Sequence, residues 1–492
     1  MQRKLKIMYI SSEVSPFMKT GGLADVAGAF PKAIKDLNHD IRIFMPKYSH
    51  INERKYTLRE VIRLKEIEVN LGPKKIVANI KSAFLPDSKV QVYFVENKGY
   101  FNSAEFYLPP ATEAQRVNQA EQFIFFSRSV FEILKILHWQ PDIIHCNDWQ
   151  TALIPVYLEE IYKTDPFFSR TYSLLTIHDW AHQGIFDREL LPLLEISEEC
   201  FNPDGDSESE GKINFLKAGI IYADIVNTTS KSCASEVQSS DEFAFGLQRV
   251  VQKKANNFYG IVNGIDEKVW NPESDSHISH KFSIKDMSGK IVNKRLLVES
   301  QGLKFDDKIP LIGTISRLTD LKGFDLITAI LDDMLKLDVQ YILLGHGDEK
   351  YHRFFKSAAR KYPSKLAVNF KFDDPLAHQI EAGCDMYLMP SHIEACGLNQ
   401  LYSLKYGTIP IVHATGGLTD TVKDFNPSTN RGYGFVFQKY SPESLLKILK
   451  RSIKTFHDQE TWPRLVDRAM RLNFSWHVSA EKYINLYYQL VP

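Results

Sequence analysis

The first stretch that could do chemistry is KTGGLAD, residues 19–25, which follows the apolar run LKIMYIS (Leu5 to Ser11). Glycines let backbone N–H groups come close to an anion, and a helix starting just after them adds the positive end of its dipole. Lys19 adds a point charge. No GK[ST] ends the stretch, so it is not a Walker A loop, and the same spacing serves a plain turn equally well. The second stretch is SRLTDLKGFDL (Ser316 to Leu326), between the strand pattern IPLIGTI and a helical pattern. Arg317 and Lys322 near a strand end suit a diphosphate that gains charge as it leaves. A solvated pair is the competing reading, made less comfortable by the helix dipole. In the third stretch, MPSHIEACGLNQLYSLKYG (Met389 to Gly407), Glu394 follows a strand pattern and precedes a helix start. A carboxylate there can hold sugar hydroxyls, and the amides of Gly397 and Leu398 can hold phosphate; capping the helix is the alternative use of Glu394.

These residues need a scaffold of strands that end where the chemistry begins. Runs rich in Ile, Val, Tyr and Phe recur along the chain: IRIFMP, VQVYFV, PDIIHC, YSLLTIH, DIVNTTS, IPLIGTIS, VQYILLG, LAVNFKF, CDMYLMP and TIPIVHAT. Helical patterns such as EQFIFFSRSVFEILKIL, DLITAILDDMLKL and SLLKILKRSIKTF lie between many of them. This alternation predicts an α/β protein with mostly parallel sheets covered by helices on both faces, whose site lies at the carboxyl edges of the strands. At 492 residues the chain is too long for one core. The polar stretch NGIDEKVWNPESDSHIS, within residues 255–283, reads as a linker between two halves. The acidic loop NPDGDSESEG (Asn202 to Gly211) lacks the rest of a calcium-loop pattern and reads as a solvated loop. The segment VSAEKYINLYYQLV reads as a terminal amphipathic helix.

Sixty basic residues balance sixty acidic ones, which argues against a dedicated nucleic-acid binder. The five cysteines form no CxxC pair, a pattern that suits reduced thiols in a cytosol better than a disulfide scaffold or a zinc site. The short run after MQRK reads as a first strand, not a leader, and no uncharged apolar stretch is long enough to span a bilayer.

Taken together and in order, KTGGLAD, the Arg317/Lys322 pair and EACGLNQLYSLKYG resemble the glycogen and starch synthases of the bacterial type. Further collinear matches are HCNDWQTAL (145–153), TIHDWAHQGIF (176–186), NFLKAGIIYAD (214–224), YGIVNGIDEKVWNP (259–272), PLAHQIEAGCDMYLMPS and TGGLTDTV, so the resemblance spans essentially the whole chain. It implies a GT-B architecture, with two Rossmann-like doubly wound domains facing a cleft. The first domain is expected over 1–258, the second, binding the sugar nucleotide, over 259–474, and a C-terminal helix over 475–492 packing back on the first. The implied activity is retaining transfer of glucose from ADP-glucose to the non-reducing end of an α-1,4-glucan, with no metal, cofactor, nucleic acid or membrane, in a bacterial cytoplasm. UDP-glucose as donor, or a silent glucan-binding protein on the same fold, are the alternatives.

Carried over residue by residue, Lys19, Gly21 and Gly22 are expected to contact the donor. Arg317 and Lys322 would stabilise the departing diphosphate, and Glu394 would hold glucosyl hydroxyls. The turn Cys396–Gly397–Leu398 would face the donor, His178 the transferred glucose. Asp148 and Asn263 would lie around donor and acceptor, Asp25 near the ribose, and Phe372 under the base where the family usually has tyrosine. The bland alternatives are an N-cap for Asp148, a plain turn for Asn263, an inert thiol for Cys396 and a structural histidine for His178. Tyr402 stands where relatives using other donors carry a second glutamate, which fits this family. Departures from the usual pattern are Asp179 for asparagine, Asn147 for histidine, Ala395 for proline and Asn399 for threonine.

Overall fold

The computed structural model describes residues 3–101, 112–201 and 211–491; apart from Gly211, the acidic loop at 202–211 lies outside them. The chain divides into two compact units, one of Met1–Thr229, Ala234–Gly264 and Trp476–Pro492, the other of Ser230–Cys233 and Ile265–Ser475.

The first unit is built on a ten-stranded sheet. Its parallel part runs, in spatial order, through Phe258–Gly260, Ile225–Thr228, Tyr172–Ile177, Ile143–Asn147, Lys6–Ile10, Asp40–Pro46 and Gln91–Glu96. Strands Lys74–Phe84, Arg59–Glu60 and Ile67–Leu71 extend one edge in antiparallel fashion. All five residues of Ile143–Asn147 are buried, as a strand covered on both faces requires. The strand order reverses between Lys6–Ile10 and Ile143–Asn147, since each leads away from the other. Such a switch point opens a crevice beyond the carboxyl ends of the two strands. Helix Gly22–Asp36 leads away from one of them and buries a continuous apolar face.

The C-terminal helix, Trp476–Leu490, is part of this first unit. Phe30 meets Tyr483 edge-on at 4.8 Å and Trp476 at 5.5 Å. A buried polar chain fixes the register. The Asn227 amide donates to the Tyr483 hydroxyl (3.0 Å), and the Thr176 hydroxyl donates to the Asn227 carbonyl (2.6 Å). Thr176 has thereby spent its proton, so His145 donates to it through Nε2 and accepts from the Tyr487 hydroxyl at Nδ1, both at 2.7 Å. Burial holds the His145 pKa well below its usual value, consistent with a neutral ring.

The second unit holds a six-stranded, all-parallel sheet ordered Leu366–Asn369, Gln340–Leu344, Leu311–Ile315, Met386–Met389, Ile409–His413, Phe435–Phe437. Its switch point falls between Leu311–Ile315 and Met386–Met389. The segment read as a linker is well packed in its second half: Trp270, Ile278 and Phe282 are buried with Tyr402 and Tyr406. Its polar surface pattern hid three widely spaced apolar anchors. No helix among the described residues is long and apolar enough to cross a membrane.

Candidate active site

In the first unit the chemistry gathers beyond the switch point. Glu13, three residues past the end of Lys6–Ile10, is fully buried and takes the Thr20 amide (2.6 Å) and hydroxyl (2.8 Å) on one oxygen. It thereby fixes the lysine–glycine loop. Lys19 pairs with Asp25 at 2.9 Å. Gly21 precedes the helix in extended conformation, φ −156°, and an added Cβ would meet only Glu13 Oε1 at 3.7 Å. Neither backbone nor packing therefore demands glycine there. Gly22 is the first helical residue. Burial pushes the Glu13 carboxyl up to about 7, against the pull of the Thr20 bonds.

Asp148 ends the neighbouring strand with φ 57° and ψ −177°, a region almost reserved for glycine. Its carboxylate does not cap the short helix that follows. Oδ1 instead accepts the amides of His178 (2.6 Å) and Asp179 (3.3 Å), from the next strand's end. Burial pushes its pKa up to about 8, with those amides opposing. Asn147 donates its amide to the Ile10 carbonyl (2.9 Å), so its own oxygen must accept from Tyr9 and from His178 Nε2, each at 3.0 Å. His178 thus carries its proton on Nε2. Burial lowers its pKa to about 3, so the ring is neutral at physiological pH. Asn147, a departure from the family pattern, is what orients it. Asp179 accepts from the Ala181 amide (3.0 Å) and pairs with His182 (2.8 Å), uses that a carboxylate serves. Asn263 is buried, and its side-chain oxygen has no hydrogen-bond partner.

In the second unit the switch point is bridged by an ion pair. Lys322 Nζ lies 2.6 Å from Glu394 Oε2, which also accepts from the Ser391 hydroxyl at 3.1 Å. Glu394 therefore does not spend its carboxylate on the helix Asn399–Lys405. Gly323 makes the approach possible: its φ is +78°, and a Cβ would sit 2.1 Å from the Pro390 carbonyl. Arg317 is exposed at the end of Leu311–Ile315. Gly397 is left-handed, φ +72°, and a Cβ there would collide with the Gln400 side chain at 2.4 Å. The turn Cys396–Gly397–Leu398 leads into the helix, whose first amides lack intrahelical acceptors. Cys396 is buried. Asn399 donates to the Ile315 carbonyl (2.8 Å) and the Tyr387 hydroxyl (2.7 Å), tying this helix to both switch-point strands. The Ala395 carbonyl accepts from Ser230 at 2.7 Å. Phe372 is 66% exposed on the loop after Leu366–Asn369.

Thus the structure brings Lys19, Gly21, Gly22 and Asp25 together on one loop and helix start, Asp148 with His178, and Lys322 with Glu394. Sequence reasoning missed Glu13 and Ser391. An acidic residue just past the first strand, in SSEVSP, was the signal available for Glu13; Ser391 had none beyond its place at a strand end.

Residues 298–464 match the family model of glycosyl transferases group 1. Sucrose-phosphate synthase from Thermosynechococcus elongatus shares the fold, with a TM-score of 0.60 at 16% identity over 99% of both chains. The chain thus has the GT-B architecture. Residues 6–253 match the starch synthase catalytic domain. The glycogen synthase of Fervidobacterium nodosum is 43% identical, and that of Thermotoga maritima 40% identical, each over 98% of both chains. The catalytic domain of Starch Synthase IV from Arabidopsis thaliana, bound to ADP and acarbose, is similar with a TM-score of 0.91 and 31% identity, covering 99% of this chain and 100% of that one. The chain belongs to the glycogen and starch synthase family.

Proposed function

We propose that the chain transfers glucose from ADP-glucose to the non-reducing end of an α-1,4-glucan with retention of configuration. The observation that carries this reading is the Lys322–Glu394 pair at 2.6 Å across the second unit's switch point. An ammonium and a carboxylate so placed serve two parts of one substrate: the cation takes diphosphate oxygens, and the carboxylate takes sugar hydroxyls. Arg317 joins Lys322 on the diphosphate, and Phe372 offers an exposed ring for the base. The turn at Cys396–Gly397–Leu398 presents amides to phosphate and sugar.

From the first unit, Lys19, Gly21 and Gly22 contact the donor, and Asp25 the ribose. The room left at Gly21, where nothing in the protein calls for glycine, supports a close-lying ligand. Neutral His178 accompanies the transferred glucose; a histidine that stays uncharged adds no repulsion to a developing oxocarbenium ion. Asp148 and Asn263 line the donor and acceptor side. In this scheme the acceptor hydroxyl attacks on the face from which the diphosphate departs. Arg317 and Lys322 stabilise the leaving group by about 3–4 kcal/mol per well-placed donor. The starch synthase relative binds ADP and acarbose, which supports a nucleotide and a glucan-like ligand here too.

The test is glucose incorporation into glycogen by Lys322→Ala and Arg317→Ala. A loss of kcat of about a hundred-fold or more in each is expected. Near-wild-type turnover in both would remove the assigned roles.

A further inference from the structure

We propose that the second unit contains a structural binding site for one divalent metal ion, with zinc as the best match, formed by His277, Asp374 and His378. This site shares no residue with the Lys322–Glu394 site. One ligand atom from each of the three side chains lies within 4.8 Å of the other two. Asp374 and His378 are one turn apart on the helix Asp374–Gly383, and His277 comes from the segment before the sheet. Residues four apart on a helix share a face, which is how helices offer two ligands to one ion.

The second observation is an orphaned nitrogen. His378 is completely buried, its Nδ1 is 2.8 Å from Asp275 Oδ2, and its Nε2 has no hydrogen-bond partner. The Asp275 carboxylate can only accept, so Nδ1 carries a proton, and in the neutral ring Nε2 is then the nitrogen with the lone pair. Nε2 is 4.0 Å from Asp374 Oδ2, too far for a hydrogen bond; two ligands about 2.0–2.1 Å from one tetrahedral zinc ion stand about 3.4 Å apart, so an ion between them draws the pair together by roughly half an ångström. A buried acceptor with no donor is uncommon, and a cation satisfies it.

The surroundings match the outer shell of a metal site. A carboxylate on the remote nitrogen of a ligating histidine fixes its tautomer and raises its basicity. Asp275 does this and also accepts the His277 amide through Oδ1 (2.8 Å) and the Tyr406 hydroxyl through Oδ2 (2.6 Å). One carboxylate therefore holds the ring of His378 and the backbone at His277. The His378 ring is clamped against Trp270 at 3.7 Å and 5°, and Trp270 in turn against Tyr402 at 3.8 Å and 8°. Two imidazoles and one carboxylate, with water as a fourth ligand, suit tetrahedral zinc better than calcium or magnesium, which prefer all-oxygen sites. Exposed His277, 4.7 Å ring to ring from His378, closes the site from the solvent side.

The experiment uses the untagged full chain, stripped with a chelator and dialysed, then titrated with Zn²⁺ while bound metal is measured. One equivalent per chain is expected, together with a melting temperature that rises on adding Zn²⁺. His277→Ala and Asp374→Asn, both at accessible side chains and so tolerant of change, should each weaken binding by at least about ten-fold and lose the thermal shift. Replacement by Co²⁺ should give the visible bands of a four-coordinate ion. Failure of the wild-type chain to take up stoichiometric Zn²⁺, or uptake that both variants retain, would overturn the assignment.

Discussion

Asp148 shows how a single residue can be held against its own preference. An L-residue at φ 57° and ψ −177° costs about 1–3 kcal/mol. The strain is kept because the carboxylate reaches the amides of His178 and Asp179. Removing the carboxylate in two ways separates the terms. Asp148→Gly should be more stable than Asp148→Ala by about 1 kcal/mol or more, since glycine alone relaxes the backbone, while both lose activity; paired thermal melts and glycogen assays measure this. Equal stability would mean that the backbone bears no strain. The buried acids also set a pH dependence. The Glu13 and Asp148 carboxyls stand at about 7 and about 8 when folded, above their unfolded values. Their stabilising share is complete below the unfolded pKa and is lost as pH rises through the folded one. The low His178 value acts oppositely, costing stability only below about 6.5. Between pH 6.5 and 8 the acids therefore decide the sign: melting temperature falls as pH rises. Glu13→Gln should flatten that slope; an unchanged slope would contradict the assignment to Glu13.

At the scale of elements, legibility followed periodicity. The apolar runs named from the sequence, from IRIFMP to TIPIVHAT, all form strands, because strands covered on both faces must be apolar throughout. The edge hairpin of Ile67–Leu71 and Lys74–Phe84 was not named: one face is solvated, so KKIVANIKSAF mixes lysine with apolar residues. Lys322 and Glu394 were legible as strand-end residues, but their pairing depends on the order of strands in the sheet, which no local pattern encodes. Asp275 and His378 were invisible for the same reason, being joined only by tertiary packing. The C-terminal helix offers a direct measure of element packing. Tyr483 is 2% exposed and touches Phe30 and Asn227. Tyr483→Ala should destabilise the protein by about 3–5 kcal/mol, read from denaturant unfolding of the full chain. A loss below about 1 kcal/mol would mean that the helix contributes little to its unit.

For the molecule as a whole, both units repeat one plan: parallel strands, an order reversal, and polar side chains just beyond it. In the first unit these are Glu13, Asp148 and His178, and in the second Lys322 and Glu394. The plan is that of the GT-B fold, and the relatives place the chain among the glycogen and starch synthases. Under the proposed function an exposed ring such as that of Phe372 would stack on adenine or uracil alike, so the choice of base would fall to contacts around it. The most direct measurement supplies ADP-glucose and UDP-glucose separately, with glycogen as acceptor, and follows both nucleotide release and glucan growth. The account predicts ADP release matched one for one by glucose added to non-reducing ends, with a clearly lower kcat/KM for UDP-glucose. No nucleotide release from either donor, under conditions where the chain is folded and binds glycogen, would contradict it.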